Sequence, residues 1–258
     1  MKGLQMYTLR NSMKTPEDFD NTLRRVHEMG YDNVQITPPA FTNAIEVAKQ
    51  LKTYELKADS TICTLMKIPE SIDDIARNAE ALGTDVLRTD SIVKDDRWTV
   101  EGYKRAAEHL NVCGKLAKQK GLRFMYHFHA FEFIKLGDTR GIDILLNETD
   151  PATVMFQPDV FWLTSAGTEA STSLRMFAGR AAYMHMKDYV IVPSGTEVLE
   201  VTKAASAPVG TGNLNWDKII ATAKEIGIYN FVAEDDMGIL DPFESAAQSV
   251  IGMKNLGL

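Results

Sequence analysis

The chain has 258 residues, 45% of them hydrophobic and 24% charged, with a net charge of −7 and a pI near 5.3. That length allows one large domain or two small ones, and the composition is that of a globular chain with a sizeable core. The acidic balance argues against a binder of nucleic-acid backbones, and no stretch nears the roughly 18 apolar residues needed to span a bilayer.

The opening MKGLQMYTLR has polar residues where a signal peptide needs an apolar segment, which predicts a cytoplasmic chain or one whose leader has been removed. Cys63 and Cys113 have neither metal-type spacing nor a disulfide framework, so both are expected as thiols. Apolar residues 3–8 read as a first strand. Thr15-Pro16-Glu17-Asp18 then opens a helix, with threonine suited to the N-cap, proline to the first turn and the acids to the helix dipole. Phe19, Leu23, Val26 and Met29 recur at helical spacing, and Gly30 is placed to end the helix.

The same unit recurs down the chain. Strands are predicted at 31–37, 56–61, 85–89, 122–129, 153–160, 181–187 and 230–234. Helices are predicted at 44–51, 71–82, 100–120, 142–147 and 171–177, with one opening at Asn215-Trp216-Asp217 and a last one at Asp241-Pro242-Phe243-Glu244. A long loop is expected between 187 and 215. About eight strand–helix units in this length predict an α/β fold, a single (β/α)8 TIM barrel over 1–258. A doubly wound sheet is disfavoured, because no glycine-rich turn follows the first strand.

In such a barrel, chemistry gathers at the C-terminal ends of the strands. Those positions hold Tyr7 and Arg10, Gln35, Ser60 and Thr61, Arg88 and Asp90, His127 and His129, Gln157 and Asp159, His185 and Lys187, and Glu234 and Asp235. If 122–129 is a strand, His127 and His129 share one face. Imidazoles and carboxylates on neighbouring strands are the ingredients of a mixed N/O site for a divalent ion. His127 and His129 also suit a structural hydrogen-bonded pair, and Asp159 after Pro158 suits a turn. Tyr7, Arg10, Gln35 and Arg88 are candidates for holding a substrate hydroxyl or anion, and Trp162 for stacking on a sugar ring.

Six segments carry a family resemblance: YTLR (7–10), YHFHAFEF (126–133), PDVFW (158–162), MHMKD (184–188), VGTGNLNW (209–216) and AEDD (233–236). With these the chain resembles the sugar phosphate isomerase/epimerase group with the xylose isomerase-like TIM barrel, a relative of the endonuclease IV fold. The resemblance implies a divalent metal (Mn2+, Mg2+, Zn2+ or Co2+) held by a glutamate, an aspartate, a histidine and a glutamate from strands five to eight. The last three fall on Asp159, His185 and Glu234. At the strand-five position His127 stands where the pattern has a glutamate, and Glu132 lies beyond the strand end. Gln157 replaces a frequent acid, and Thr211 interrupts a usual Gly-Glu-Gly.

The resemblance implies a metal-dependent isomerase or epimerase of a keto-sugar or polyol, working by proton transfer next to a carbonyl that the metal polarises. Glu234, His127 or His129 would move the proton and Lys187 would steady the oxyanion. The imidazole at strand five favours a rival, a dehydratase or lyase on a keto-sugar or 3-keto-glycoside, because elimination does not require a matched pair of acids. A third reading is a sugar-binding barrel without catalysis. The expected partner is a small carbohydrate, with neither nucleic acid nor membrane, and a homo-oligomer is compatible with the sequence.

Overall fold

The computed structural model describes residues 2–195 and 202–258. Among these, eight parallel strands form one sheet: β1 (Lys2–Gln5), β2 (Asn33–Gln35), β3 (Lys57–Ile62), β4 (Val86–Thr89), β5 (Arg123–His127), β6 (Val154–Gln157), β7 (Tyr183–Met186) and β8 (Asn230–Ala233). Their order is β6-β5-β4-β3-β2-β1-β8-β7. The ring is completed between β6 and β7 by two isolated bridges, Phe156 to Ala181 and Asp159 to His185. Two hydrogen bonds support them, Phe156 N–H to the Arg180 carbonyl at 2.7 Å and His185 N–H to the Pro158 carbonyl at 2.8 Å. The expected TIM barrel is therefore present, with a lightly bonded seam.

The helices form as their ends dictate. Thr15 caps α1 (Pro16–Met29) by accepting from the Asp18 N–H, and left-handed Gly30 closes it. Asn43 caps α2 (Ala44–Thr53), and Asp241 caps α9 (Pro242–Asn255). Between them lie α3 (Ile68–Leu82), α4 (Val100–Gln119), α5 (Gly141–Glu148), α6 (Val160–Ser165), α7 (Ala170–Leu174) and α8 (Trp216–Glu225). Their apolar faces pack on the outward side chains of the strands, among them Leu4, Val34, Leu87, Phe124, Phe156, Met184 and Phe231. Among the described residues, no helix is long and apolar enough to cross a membrane.

Side chains alternate across each strand, which fixes what lies inside the barrel. Val86, Met125, Tyr183 and Val232 form a separate buried apolar cluster with Met155 against it. Each lies two residues before Arg88, His127, His185, Glu234 and Gln157 respectively, so an apolar layer forms the floor under a polar one.

Three local expectations are corrected. β5 ends at His127, and His129 instead starts a short 3-10 turn over Ala130–Phe133. The run predicted as a strand at 153–160 ends at Gln157, and Asp159 caps α6. The expected loop after Lys187 holds an antiparallel pair, Asp188–Pro193 against Thr202–Ala207; of the residues between its strands, 196–201 lie outside the described ones.

Candidate metal centre and cleft

Four buried side chains converge at the C-terminal end of the barrel. One ligand-capable atom each from His127, Asp159, His185 and Glu234 lies within 4.8 Å of the others. β5, β7 and β8 supply His127, His185 and Glu234 at or just past their ends, and the turn after β6 supplies Asp159.

Asp159 divides its two oxygens between tasks. Oδ1 accepts from the Phe161 N–H at 2.8 Å and the Trp162 N–H at 3.2 Å, capping α6. Oδ2 is buried without a hydrogen bond, 3.7 Å from His185 Nδ1. His185 Nδ1 is likewise without a hydrogen bond, 3.3 Å from Glu234 Oε2. The opposite nitrogen of His185, Nε2, lies 2.8 Å from Gln35 Oε1. Arg88 Nη1 donates to that same oxygen and also lies 3.1 Å from Nε2, so the tautomer that leaves Nδ1 bare is the one in which Nε2 donates to Gln35. His127 Nδ1 lies 3.4 Å from the Gln157 carbonyl, also an acceptor. In the tautomers that donate to these oxygens, each imidazole keeps a bare lone pair on its other nitrogen.

Two bare imidazole nitrogens, the free oxygen of Asp159 and the carboxylate of Glu234 are a donor set that fits a divalent transition ion. The tautomer-fixing carbonyl partners are what metal-binding histidines usually have. Glu234 and His185 shift each other's titration. Burial alone would raise Glu234, but Lys187 and His185 hold it well below the ordinary carboxylate value. Burial alone would lower His185, but the charge of Glu234 and the approach of the Asp159 and Glu234 carboxylates raise it. His127 is pushed well below its ordinary value by burial and then by His185 and His129.

A cleft of about 720 Å3 opens above the cluster. Tyr7, Arg10, Arg88, His127, His129 and Glu234 line it, together with Asp90, Arg97, Phe131 and Asp236. The ring of His129 lies 4.8 Å from that of His127 and stacks on Phe131 at 5.5 Å. Its Nδ1 is buried with no hydrogen bond. Arg88 is fully buried, held by Gln35, by Asp90 at 2.8 Å and by Gln157 at 3.4 Å.

Other expected site residues lie elsewhere. Glu132 is not gathered into the cluster; its oxygens accept from the Tyr126 hydroxyl and, at 2.9 Å, from the His129 N–H, reaching back to the residue that starts its turn. Burial pushes its carboxyl up to about 8. Lys187 does not line the cleft; it pairs with Asp236 and with Glu234 at 3.5 Å, under the rings of Trp162 at 4.9 Å and Phe161 at 5.3 Å. Burial would lower its pKa, but the charges of Glu234, Asp159 and Asp236 raise it. Trp162 packs behind His129 at 5.2 Å rather than facing the cleft. Gln35 is buried beneath His185.

Asp236 and Arg97 are additions. Asp236 sits in an acidic run that reads as loop solvation, and its ion pair with Lys187 is visible only in three dimensions. Arg97, stacked on Phe131 at 4.1 Å, sits in a stretch with no strand signal.

The profile of the xylose isomerase-like TIM barrel family matches residues 23–248. The chain belongs to that family. Within it, the chain is 23% identical over 265 residues to an inosose dehydratase of Bacillus cereus (strain AH820), covering 90% of this chain and 87% of the relative. A sugar phosphate isomerase/epimerase from Parabacteroides distasonis ATCC 8503 superposes with a TM-score of 0.78 at 22% identity, covering 97% of this chain and 92% of that one. A xylose isomerase-like TIM barrel protein from Mycobacterium smegmatis in complex with magnesium gives a TM-score of 0.70 at 17% identity, covering 98% and 95%. The family resemblance read from the sequence is thus confirmed, and the proteins this chain is similar to carry both dehydratase and isomerase names.

Proposed function

We propose that this chain, as a single domain over 1–258, is a metal-dependent lyase that eliminates water or an alcohol from a small keto-polyol or keto-sugar. One observation carries the reading: His129 lines the cleft outside the cluster without an ion pair among the described residues. Asp90 and Asp236 there are paired with Arg88 and Lys187, and Glu132, the second carboxylate of a two-acid mechanism, is bound to Tyr126 and the His129 N–H. The dehydratase name of the relative in Bacillus cereus supports it.

His127, Asp159, His185 and Glu234 would hold the ion. When bound there, a divalent ion polarises a ketone and neutralises charge developing on its oxygen. His129 removes the proton from the carbon next to the ketone, and the C–H electron pair becomes the enolate. As the enolate collapses, the bond from the next carbon to its hydroxyl or alkoxy group breaks. The imidazolium of His129 returns its proton to that oxygen, so the products are an enone and water or an alcohol. Arg88 places a fixed positive charge on the cleft wall, and Arg10 and Tyr7 at the mouth meet the remaining hydroxyls. Lys187 keeps Glu234 ionised and in place, and takes no part in proton transfer.

Isomerisation or epimerisation, expected first from the sequence, would need a second proton-transfer group across the substrate. The carboxylates lining the cleft are all engaged, Glu234 with Lys187 and the cluster, Asp90 with Arg88 and Asp236 with Lys187.

The manganese-loaded protein incubated with an inosose in deuterated water separates the readings. Loss of one water by mass spectrometry is expected, with His129→Ala slowing it about 10²–10⁴-fold. A product that keeps all its oxygens and differs in mass only by incorporated solvent deuterium would restore the isomerase reading.

A further inference from the structure

Glu132 is fully buried and does not line the cleft, although its neighbour in the turn, His129, does. A buried carboxyl is costly unless it is bound, so its partners are informative. One oxygen meets the Tyr126 hydroxyl, and the other accepts from the His129 N–H at 2.9 Å. Side chains alternate along β5, so Tyr126 points away from the barrel interior that His127 enters. Glu132 therefore grips the backbone of His129 from behind the strand.

The ring of His129 has no such grip. Its Nδ1 makes no hydrogen bond, and it packs on other rings, Phe131 at 5.5 Å and Trp162 at 5.2 Å. Apolar contact of this kind is non-directional, so it leaves a ring free to slide. The place of the imidazole over the cleft is then set by the path of the backbone from 129 to 133. A second hydroxyl pins that path: Tyr103, buried on α4, donates to the Phe131 carbonyl at 2.8 Å. Gly141 makes room for it, since a Cβ there would lie 2.2 Å from the Tyr103 ring. Burial pushes the Glu132 carboxyl up to about 8, so at neutral pH it is mostly protonated and the grip puts little charge behind His129.

We infer that Glu132 is a positioning residue for the proton transfer: bridging Tyr126 and the His129 N–H, it fixes the imidazole over the cleft while touching neither substrate nor ion. The inference rests on the reading of His129 as the base. Precision matters at such a group, because a misplacement of about 1 Å can cost about 10²-fold in rate.

The test uses the full chain, reading water loss from an inosose with manganese bound and ring contacts by NMR with magnesium bound. Glu132→Leu removes the grip, whereas Glu132→Gln is isosteric with the protonated acid and keeps it. In Glu132→Leu, kcat is expected to fall about 10–100-fold with KM and metal content unchanged. Nuclear Overhauser contacts between the rings of His129 and Phe131 should disappear in the same variant. Glu132→Gln should restore both kcat and the ring contacts. Tyr126→Phe, which removes a single hydroxyl, should lower kcat in the same sense, and it decides the matter if Glu132→Leu does not fold. Equal losses in the Gln and Leu variants, ring contacts that survive in Glu132→Leu, or a raised KM at unchanged kcat would each overturn the inference. If the wild type turns over no inosose, the lyase reading fails, and the ring contacts alone decide whether Glu132 positions His129.

Discussion

Gln35 shows how much of the cluster depends on a residue that never meets substrate. Its side-chain oxygen accepts from Arg88 and from His185 Nε2, and that second contact leaves Nδ1 bare and facing Asp159 and Glu234. Gln35→Leu removes the acceptor, releases the tautomer and leaves two buried donors unpaired. Metal affinity measured by competition with a chromogenic chelator is expected to fall about 10–100-fold; an unchanged affinity would mean that the cluster orients itself. Glu132 supplies a stability test. Its folded value of about 8 lies above the ordinary 4.5, so the folded state keeps its proton longer than the unfolded state does. That contribution is complete below pH 4.5 and is lost as pH rises to 8, a difference on the order of 5 kcal/mol. Glu132→Gln keeps an acceptor for the His129 N–H and cannot ionise. The melting temperature of the wild type should fall more between pH 5 and 9 than that of the variant, and parallel profiles would exclude a buried neutral Glu132. In the sequence, the cluster was legible as residue types at strand ends. Which oxygen of Asp159 is free, and that Gln35 serves His185 instead of a substrate, depend on contacts between residues up to 150 apart in the chain.

At the scale of elements, the helices were legible because their ends are chemically marked, as at Thr15-Pro16 and Asp241-Pro242. Misreadings arose where the local signal was ambiguous or absent. Val154 to Phe156 and Val160 to Leu163 are two short apolar runs joined by Gln157-Pro158-Asp159. The turn at Pro158-Asp159 was legible, but runs this short carry no periodicity to separate strand from helix, so the predicted strand extends through the joint. Thr202–Ala207, TKAASA, pairs as a strand with neither aromatic nor large β-branched residues to announce it. Packing between elements can be tested at Gly252, in the interior of α9. Glycine there costs about 1 kcal/mol relative to alanine by helix propensity alone, so Gly252→Ala should stabilise if nothing touches it. A Cβ at that position would lie 1.8 Å from the Val209 carbonyl oxygen, which is backbone and has little freedom to yield. The clash outweighs propensity, and a net loss of about 1–3 kcal/mol is expected in urea denaturation. A variant as stable as the wild type would show that α9 can slide away from the loop before α8.

For the whole molecule, the metal cluster and the barrel's weakest joint coincide. Seven neighbouring pairs of strands are joined by ladders, whereas β6 and β7 meet through isolated bridges, one of them between Asp159 and His185 themselves. An ion held by those two residues and by His127 and Glu234 would tie β5, the turn after β6, β7 and β8 across that seam. Binding to the folded state alone adds about 2.7 kcal/mol at a hundredfold excess over Kd. For a chain of this size that corresponds to a melting temperature roughly 5–10 °C higher. Stripping the protein with a chelator should reverse the gain. It should also raise amide hydrogen exchange first at the seam, in Phe156 and His185, whose N–H groups bond across it. Asp159→Ala should show the low melting temperature and fast seam exchange with or without added manganese. A chelator effect that survives in Asp159→Ala, or exchange that rises evenly around the barrel, would separate metal binding from closure of the ring.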